Sequence, residues 1–154
     1  MDRFEFGKNW TSFLKTLNHA RIEAAEKSLR EMLEVQDLEG KSFLDVGCGS
    51  GLFSLAAKRL GASPVYSFDY DEQAVQCSKE IKKRFGQHDE AWTIERGDAL
   101  DRNYLGGLGL FDVVYSFGVL HHTGHLWEAL QNVSETVRPG GKLFIEIDND
   151  QGLA

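Results

Sequence analysis

The tightest constraint in this chain is the run Phe43-Leu44-Asp45-Val46-Gly47-Cys48-Gly49-Ser50-Gly51, followed at once by the amphipathic stretch Leu52 to Leu60. Phe43, Leu44 and Val46 make a short apolar strand. The glycines at 47, 49 and 51 punctuate a turn, and a helix follows. Glycine lets the backbone turn tightly and lets a ligand lie against it without a Cβ in the way. The helix behind the turn offers unpaired N–H groups and the positive end of its dipole. The rest of the chain reads as support for a ligand seated on this loop.

Upstream, Met1 to Asn9 is a polar and aromatic arm, and Thr11 or Ser12 can cap a short helix through Leu17. Asn18 to Val35 has helical periodicity, with Ile22, Ala25, Leu29, Met32 and Leu33 near one face. Downstream, the first helix stops at Gly61, and Val65 to Phe68 is a second strand ending in Asp69-Tyr70-Asp71. Asp71 and Glu72 open a helix that Lys82, Lys83 and Arg84 close before Gly86, as capping and the helix dipole favour. Ala91 to Glu95 is a third strand leading into Gly97-Asp98-Ala99, with a short helix near Arg102 to Leu105. Phe111 to Phe117 is a near-continuous apolar strand of the doubly covered kind. A loop with His121 and His122 leads to a helix from His125 to Val137. The Arg138-Pro139-Gly140-Gly141 turn then precedes a fifth strand, Lys142 to Ile147.

Strands alternating with helices imply a parallel sheet, right-handed crossovers and helices on both faces. Ligands of such sheets sit at the carboxyl ends of the strands. Asp45 to Gly51, Asp69, Asp98 and the loop from Ser116 to His122 all fall on that edge.

Charge narrows the partners. With 17 Lys and Arg against 24 Asp and Glu, the net charge of −7 argues against a nucleic acid held mainly by its phosphates. The two cysteines, Cys48 and Cys77, make no disulfide scaffold and fit a reduced compartment. Without a signal peptide or a membrane-length apolar run, a soluble cytoplasmic protein is expected.

Two cofactor classes use a strand–glycine–helix turn with a later acid. In the dinucleotide fingerprint, GxGxxG, the third glycine falls one place later than it does here; position 52 is Leu. The helix therefore begins sooner, with less room for a pyrophosphate. Asp45, before the loop, would repel a diphosphate and attract a cation. Asp69 suits a ribose diol, because a carboxylate can accept both hydroxyl protons. It could also cap the following helix, although Asp71 is better placed for that. A nicotinamide-dependent oxidoreductase stays as the alternative from another class.

Asp-Val-Gly-Cys-Gly-Ser-Gly, Asp69 after the second strand, Gly97-Asp98-Ala99 and the Arg-Pro-Gly-Gly turn together resemble the class I S-adenosylmethionine-dependent methyltransferases over most of Ser42 to Gln151. Tyr115 to Thr123 and Asn149-Asp150-Gln151-Gly152 are similar to the small-molecule branch with the ubiquinone-biosynthesis-type C-methyltransferases. The resemblance implies an α/β, three-layer, Rossmann-like doubly wound sheet of five parallel strands in the order 3-2-1-4-5. Residues 1–41 would be an N-terminal arm with helices, and 42–154 the cofactor-binding core.

The resemblance also assigns parts. Gly47, Gly49 and Gly51, with Cys48 as a small residue beside the ligand, would pass the methionine and ribose of S-adenosylmethionine. Asp45 would face its amino group and Asp69 its ribose hydroxyls. Tyr70 would lie beside the adenine, and Asp98 with Ala99 would meet the adenine edge. Ser116, Phe117 and the backbone to Val119 would line the methyl-donor side, and Gly7-Lys8-Asn9-Trp10 would fold over the cofactor. The protein then supplies binding, in-line approach and exclusion of water. His121 is the candidate base and His122 the second choice, although backbone-bonded loop histidines read equally well. No metal is implied.

Cys48, at a helix N-terminus, is expected to have a lowered pKa, and Trp10 and Trp127 are expected to pack in the core. The fourth strand is not followed by an Asn/Asp-Pro-Pro-aromatic motif or a Pro-Cys pair, so a small-molecule acceptor is expected rather than a nucleobase. The chain stops soon after its fifth strand. A fragment of a longer enzyme, a cofactor-binding domain without transfer activity and a homodimer through the open fifth-strand edge are the corresponding expectations.

Overall fold

The computed structural model describes residues 12–86, 91–117 and 124–146. A helical segment over 12–16, α1, leads to α2 (His19–Leu33), after which strands and helices alternate. The series runs β1 (Phe43–Val46), α3 (Leu52–Arg59), β2 (Val65–Asp69), α4 (Glu72–Phe85), β3 (Trp92–Arg96), α5 (Arg102–Leu108), β4 (Phe111–Phe117), α6 (Leu126–Ser134) and β5 (Val137–Glu146). The five strands form one sheet in the order β3-β2-β1-β4-β5, every neighbouring pair parallel. The expected order is the observed one.

Local chemistry explains the element ends. The Asn18 side chain accepts the Arg21 N–H at the start of α2, and Asp71 accepts the Gln73 N–H at the start of α4. Each satisfies an orphan donor of a first turn. Gly86 closes α4, as expected. The observed α6 is shorter than its apolar spacing suggested, ending at Ser134. There the Thr136 hydroxyl turns back to the Val133 carbonyl at 2.6 Å.

The two faces of the sheet carry separate cores. On one, Phe43, Val65, Trp92, Val113 and Tyr115 pack against α2, α3 and α4. On the other, Leu44, Val46, Phe68 and Val114 pack against α5 and α6. Alternate residues of β1 thus serve opposite faces, which is why the strand is buried along its whole length.

One expected turn proves to be part of a strand. Arg138 to Gly141 lies inside β5, where Val137 pairs with Phe111 and Lys142 pairs with Val113. The intervening residues bulge outward, with Gly140 at φ +83°. Arg138 bonds Asp112 at 2.8 Å, and Asp112 also accepts the backbone and hydroxyl of Ser42. These bonds hold the Asp112 carboxyl below the usual carboxylate range. A Cβ on Gly141 would meet the Asp112 carbonyl at 2.8 Å. Glycine is therefore favoured at 140 and 141 where the bulge runs beside β4, and a bulge and a turn share the same residue signals.

Trp127 corrects another expectation. It is 78% exposed on α6 rather than buried. Ala129 and Val133 take the buried face of that helix, and position 127 falls away from it. Among the described residues, no helix is long and apolar enough to cross a membrane.

Candidate cofactor site

The glycine loop leaves β1 at Val46 and is tied at once to β2: the N–H groups of Gly47 and Cys48 both donate to the Phe68 carbonyl at 2.9 Å. Gly47, Gly49 and Gly51 all have positive φ (+78°, +55° and +90°), a region that L side chains enter at a cost. Gly51 is fixed twice over. It is the N-cap of α3, and a Cβ there would meet Ser78 Oγ at 2.8 Å and Ser78 Cα at 2.9 Å. Ser78, on α4, donates to the Gly49 carbonyl at 2.9 Å and lies 3.3 Å from the Cys48 thiol.

Asp69 ends β2 beside this loop. Its Oδ2 accepts the Gly49 N–H and its Oδ1 the Asp71 N–H, each at 2.9 Å. The carboxylate is thereby fixed in direction. Each carboxylate oxygen has more than one lone-pair site, so the bonds to the loop leave capacity for hydroxyl donors. Capping of α4 falls to Asp71.

Asp45 is 2% exposed. Ser54 donates to its Oδ2 at 2.6 Å, and among the described residues its Oδ1 accepts nothing. Burial, helped by the negative charge of Asp69, pushes its carboxyl up to about 7 against the pull of the Ser54 bond. Two carboxylates that repel each other across a glycine loop make a place for a cation.

Cys48 is buried, and its thiol is pushed well up by burial and by the charges of Asp45 and Asp69. This reverses the expected lowering: burial outweighs the helix terminus. The thiol stays protonated, as befits a small neighbour and not a nucleophile.

The third strand end joins the second. The Gly97 N–H donates to the Asp69 carbonyl at 3.0 Å, and a Cβ on Gly97 would collide with the Tyr104 ring. Asp98 turns the chain by accepting the Leu100 N–H. Ala99 is buried, and its carbonyl accepts Asn132 Nδ2 at 3.0 Å. Tyr70 is about half exposed, with the Arg96 guanidinium 5.2 Å from its ring centre. Ser116 is fully buried on β4, and its Oγ finds no partner among the described residues. Phe117 closes β4 opposite Glu146. The fold thus gathers the expected residues of the glycine loop, β2, the β3 exit and β4 along one sheet edge. His121, His122, Val119 and the Gly7 to Trp10 arm lie outside the described residues.

Sequence reasoning passed over Ser54, Ser67, Ser78, Trp92 and Asn132. A serine inside the apolar run of α3 was the available signal for Ser54.

A family model described as a methyltransferase domain matches residues 17–153. The chain belongs to that family. Its fold is shared with solved class I methyltransferases that use S-adenosylmethionine. The donor set fits that molecule: a carboxylate pair for its positive charge, and Asp69 on a fixed backbone for a diol. Among solved structures with the same fold is magnesium protoporphyrin IX methyltransferase from Synechocystis PCC 6803 with bound S-adenosylmethionine. Its TM-score is 0.62 at 22% identity, over 76% of this chain and 54% of that one. A methyltransferase from Thiobacillus denitrificans in complex with S-adenosylhomocysteine has a TM-score of 0.61 at 20% identity, over 79% of this chain and 47% of that one.

Curated relatives include the ribosomal protein L11 methyltransferase of Photobacterium profundum, 38% identical over 116 residues, which are 75% of this chain and 36% of that protein. The enzyme of the same name from Phocaeicola vulgatus is 33% identical over 123 residues, 80% of this chain and 41% of its own length. The chain thus spans a fifth to two fifths of the curated relatives it matches. These relatives are named for a protein acceptor, which overturns the small-molecule partner expected from the sequence. That expectation leaned on the loop after β4 and on missing nucleobase motifs, neither of which excludes a protein.

Proposed function

We propose that this chain is the cofactor-binding catalytic domain of a protein methyltransferase whose acceptor is a ribosomal protein or a protein like one. The observation that carries the reading is its likeness to a ribosomal protein L11 methyltransferase at 38% identity over 116 residues, three quarters of this chain. The net charge of −7 favours encounter with a basic protein.

S-adenosylmethionine supplies an electrophilic methyl on a sulfonium, which passes to an acceptor nucleophile and leaves a neutral thioether. This chain's residues bind and orient. Asp69 accepts the ribose hydroxyls while Gly49 and Asp71 hold its carboxylate still. Asp45 answers the positive charge of the amino-acid end. Tyr70, Asp98 and the Ala99 backbone flank the adenine, and Asn132 braces Ala99 from α6. Ser116 presents a hydroxyl on the donor side. Glycines 47 and 49 bring backbone close to the ligand, which excludes water from the transfer line.

The test is transfer of a labelled methyl from S-adenosylmethionine to purified ribosomal protein L11, with an unrelated basic protein as control. Labelling of L11 alone, with a one-methyl mass gain in a tryptic peptide, is the expected outcome. Cofactor binding without labelling of any ribosomal protein would refute the acceptor assignment.

A further inference from the structure

Beneath the glycine loop, on the sheet face covered by α3 and α4, four side chains from four elements form one line of hydrogen bonds. Ser54 of α3 donates to Asp45 Oδ2 at 2.6 Å. The hydroxyls of Ser54 and Ser67 are 2.6 Å apart, Ser67 being on β2. Trp92 of β3 donates its Nε1–H to Ser67 Oγ at 3.0 Å. Ser54 and Ser67 are fully buried, and Trp92 and Asp45 nearly so.

The direction of the line is fixed by its ends. An indole N–H can only donate. Ser54 has spent its one hydrogen on Asp45, so the Ser67 hydroxyl donates to Ser54 and accepts from Trp92. Every dipole therefore points towards the carboxylate. Each hydroxyl keeps the next buried group partnered, and the last group served is the Asp45 carboxylate. The line is accounted for by what lies at its end.

We infer that Ser54, Ser67 and Trp92 are positioning residues for the amino-acid end of the cofactor: they anchor Asp45 through Oδ2 and leave Oδ1 for the ligand's ammonium group. The inference rests on the cofactor assignment above and adds the residues that set its strength. The titratable groups around Asp45 are Asp69 from β2, the Cys48 thiol in the loop and Tyr115 from β4, while α3 contributes the Ser54 hydroxyl. The thiol and the phenol are both held protonated, so Asp69 is the charged neighbour. It opposes ionisation of Asp45, and the hydroxyl line favours it. Without the line, Asp45 keeps its proton to higher pH and binds an ammonium group less well.

Two ligands separate this role from a merely structural one. S-adenosylhomocysteine carries the amino-acid end; methylthioadenosine is a nucleoside thioether without it. In calorimetric titrations, Ser67→Ala should weaken S-adenosylhomocysteine by roughly tenfold, the scale of one lost link to a charged group. Methylthioadenosine should stay within about twofold, and the rise of S-adenosylhomocysteine affinity with pH should move to higher pH. Trp92→Phe keeps both serines and most of the ring, and should give the same pattern. Equal weakening of both ligands, or unchanged S-adenosylhomocysteine affinity in both variants, would overturn the inference. Failure of the unaltered chain to bind either ligand would instead remove the cofactor assignment, and the inference with it.

Discussion

Asp45→Asn should change how stability depends on pH. In the folded chain burial and Asp69 raise the Asp45 carboxyl from an ordinary 3.8 to about 7. Below 3.8 both the folded and the unfolded chain hold the proton, and the buried acid costs nothing extra. Between 3.8 and about 7 the unfolded chain releases a proton that the folded chain keeps, so stability falls as pH rises. Above about 7 both forms are ionised and the loss is complete. A gap of about three pH units, at about 1.36 kcal/mol each, amounts to about 4 kcal/mol. An asparagine can still accept the Ser54 hydroxyl through its carbonyl oxygen, and it does not titrate. Its fixed cost of accommodation shifts the whole curve but not its slope. Urea denaturation, followed by tryptophan fluorescence from about pH 4 to pH 8, should give a variant-minus-parent stability that rises by about 4 kcal/mol across the range. Parallel curves would mean that Asp45 is ionised throughout, and the account of a carboxylate held neutral by burial would fail.

Three further outcomes follow from the same geometry. Gly51→Ala places a Cβ within 2.9 Å of the Ser78 backbone at a φ of +90°; it should cost about 1–3 kcal/mol of stability by denaturant titration. Asp69→Ala should weaken S-adenosylhomocysteine by about 2 kcal/mol in calorimetry, the scale of lost charged hydrogen bonds; unchanged affinity would move Asp69 off the ribose. Trp127→Ala, at a residue 78% exposed, should leave the denaturation midpoint within about 0.5 kcal/mol of the parent, whereas a core tryptophan would cost several times more.

Much of the sheet was legible because its signals are local. The start of α4 could be read from Asp71 and Glu72, since capping acts within one turn. β4 could be read from Phe111 to Phe117, since a strand covered on both faces favours a near-continuous apolar run. The bulge in β5 was not legible: Arg138-Pro139-Gly140-Gly141 carries turn residues whether the chain reverses or steps aside, and only pairing with β4 decides between them. Trp127 misled because aromatic residues are buried more often than not, and its helix presents Ala129 and Val133 to the core instead. Asp45 and Asp69 were legible as acids at strand ends. The line that holds Asp45 was not, because Ser54, Ser67 and Trp92 meet only when three separate elements pack. The acceptor was hidden for a similar reason: the residues that carry the family resemblance answer to the cofactor.

Ser78 has a consequence for any attempt to move this loop elsewhere. One hydroxyl on α4 bonds the Gly49 carbonyl and sits against Cys48, while its own backbone leaves no room for a Cβ at position 51. The shape of the turn is therefore written partly in a helix that follows it by more than twenty positions. A transplanted β1–α3 segment would carry the glycines without the wall they lean on. Such a graft should relax into other conformations unless α4 travels with it.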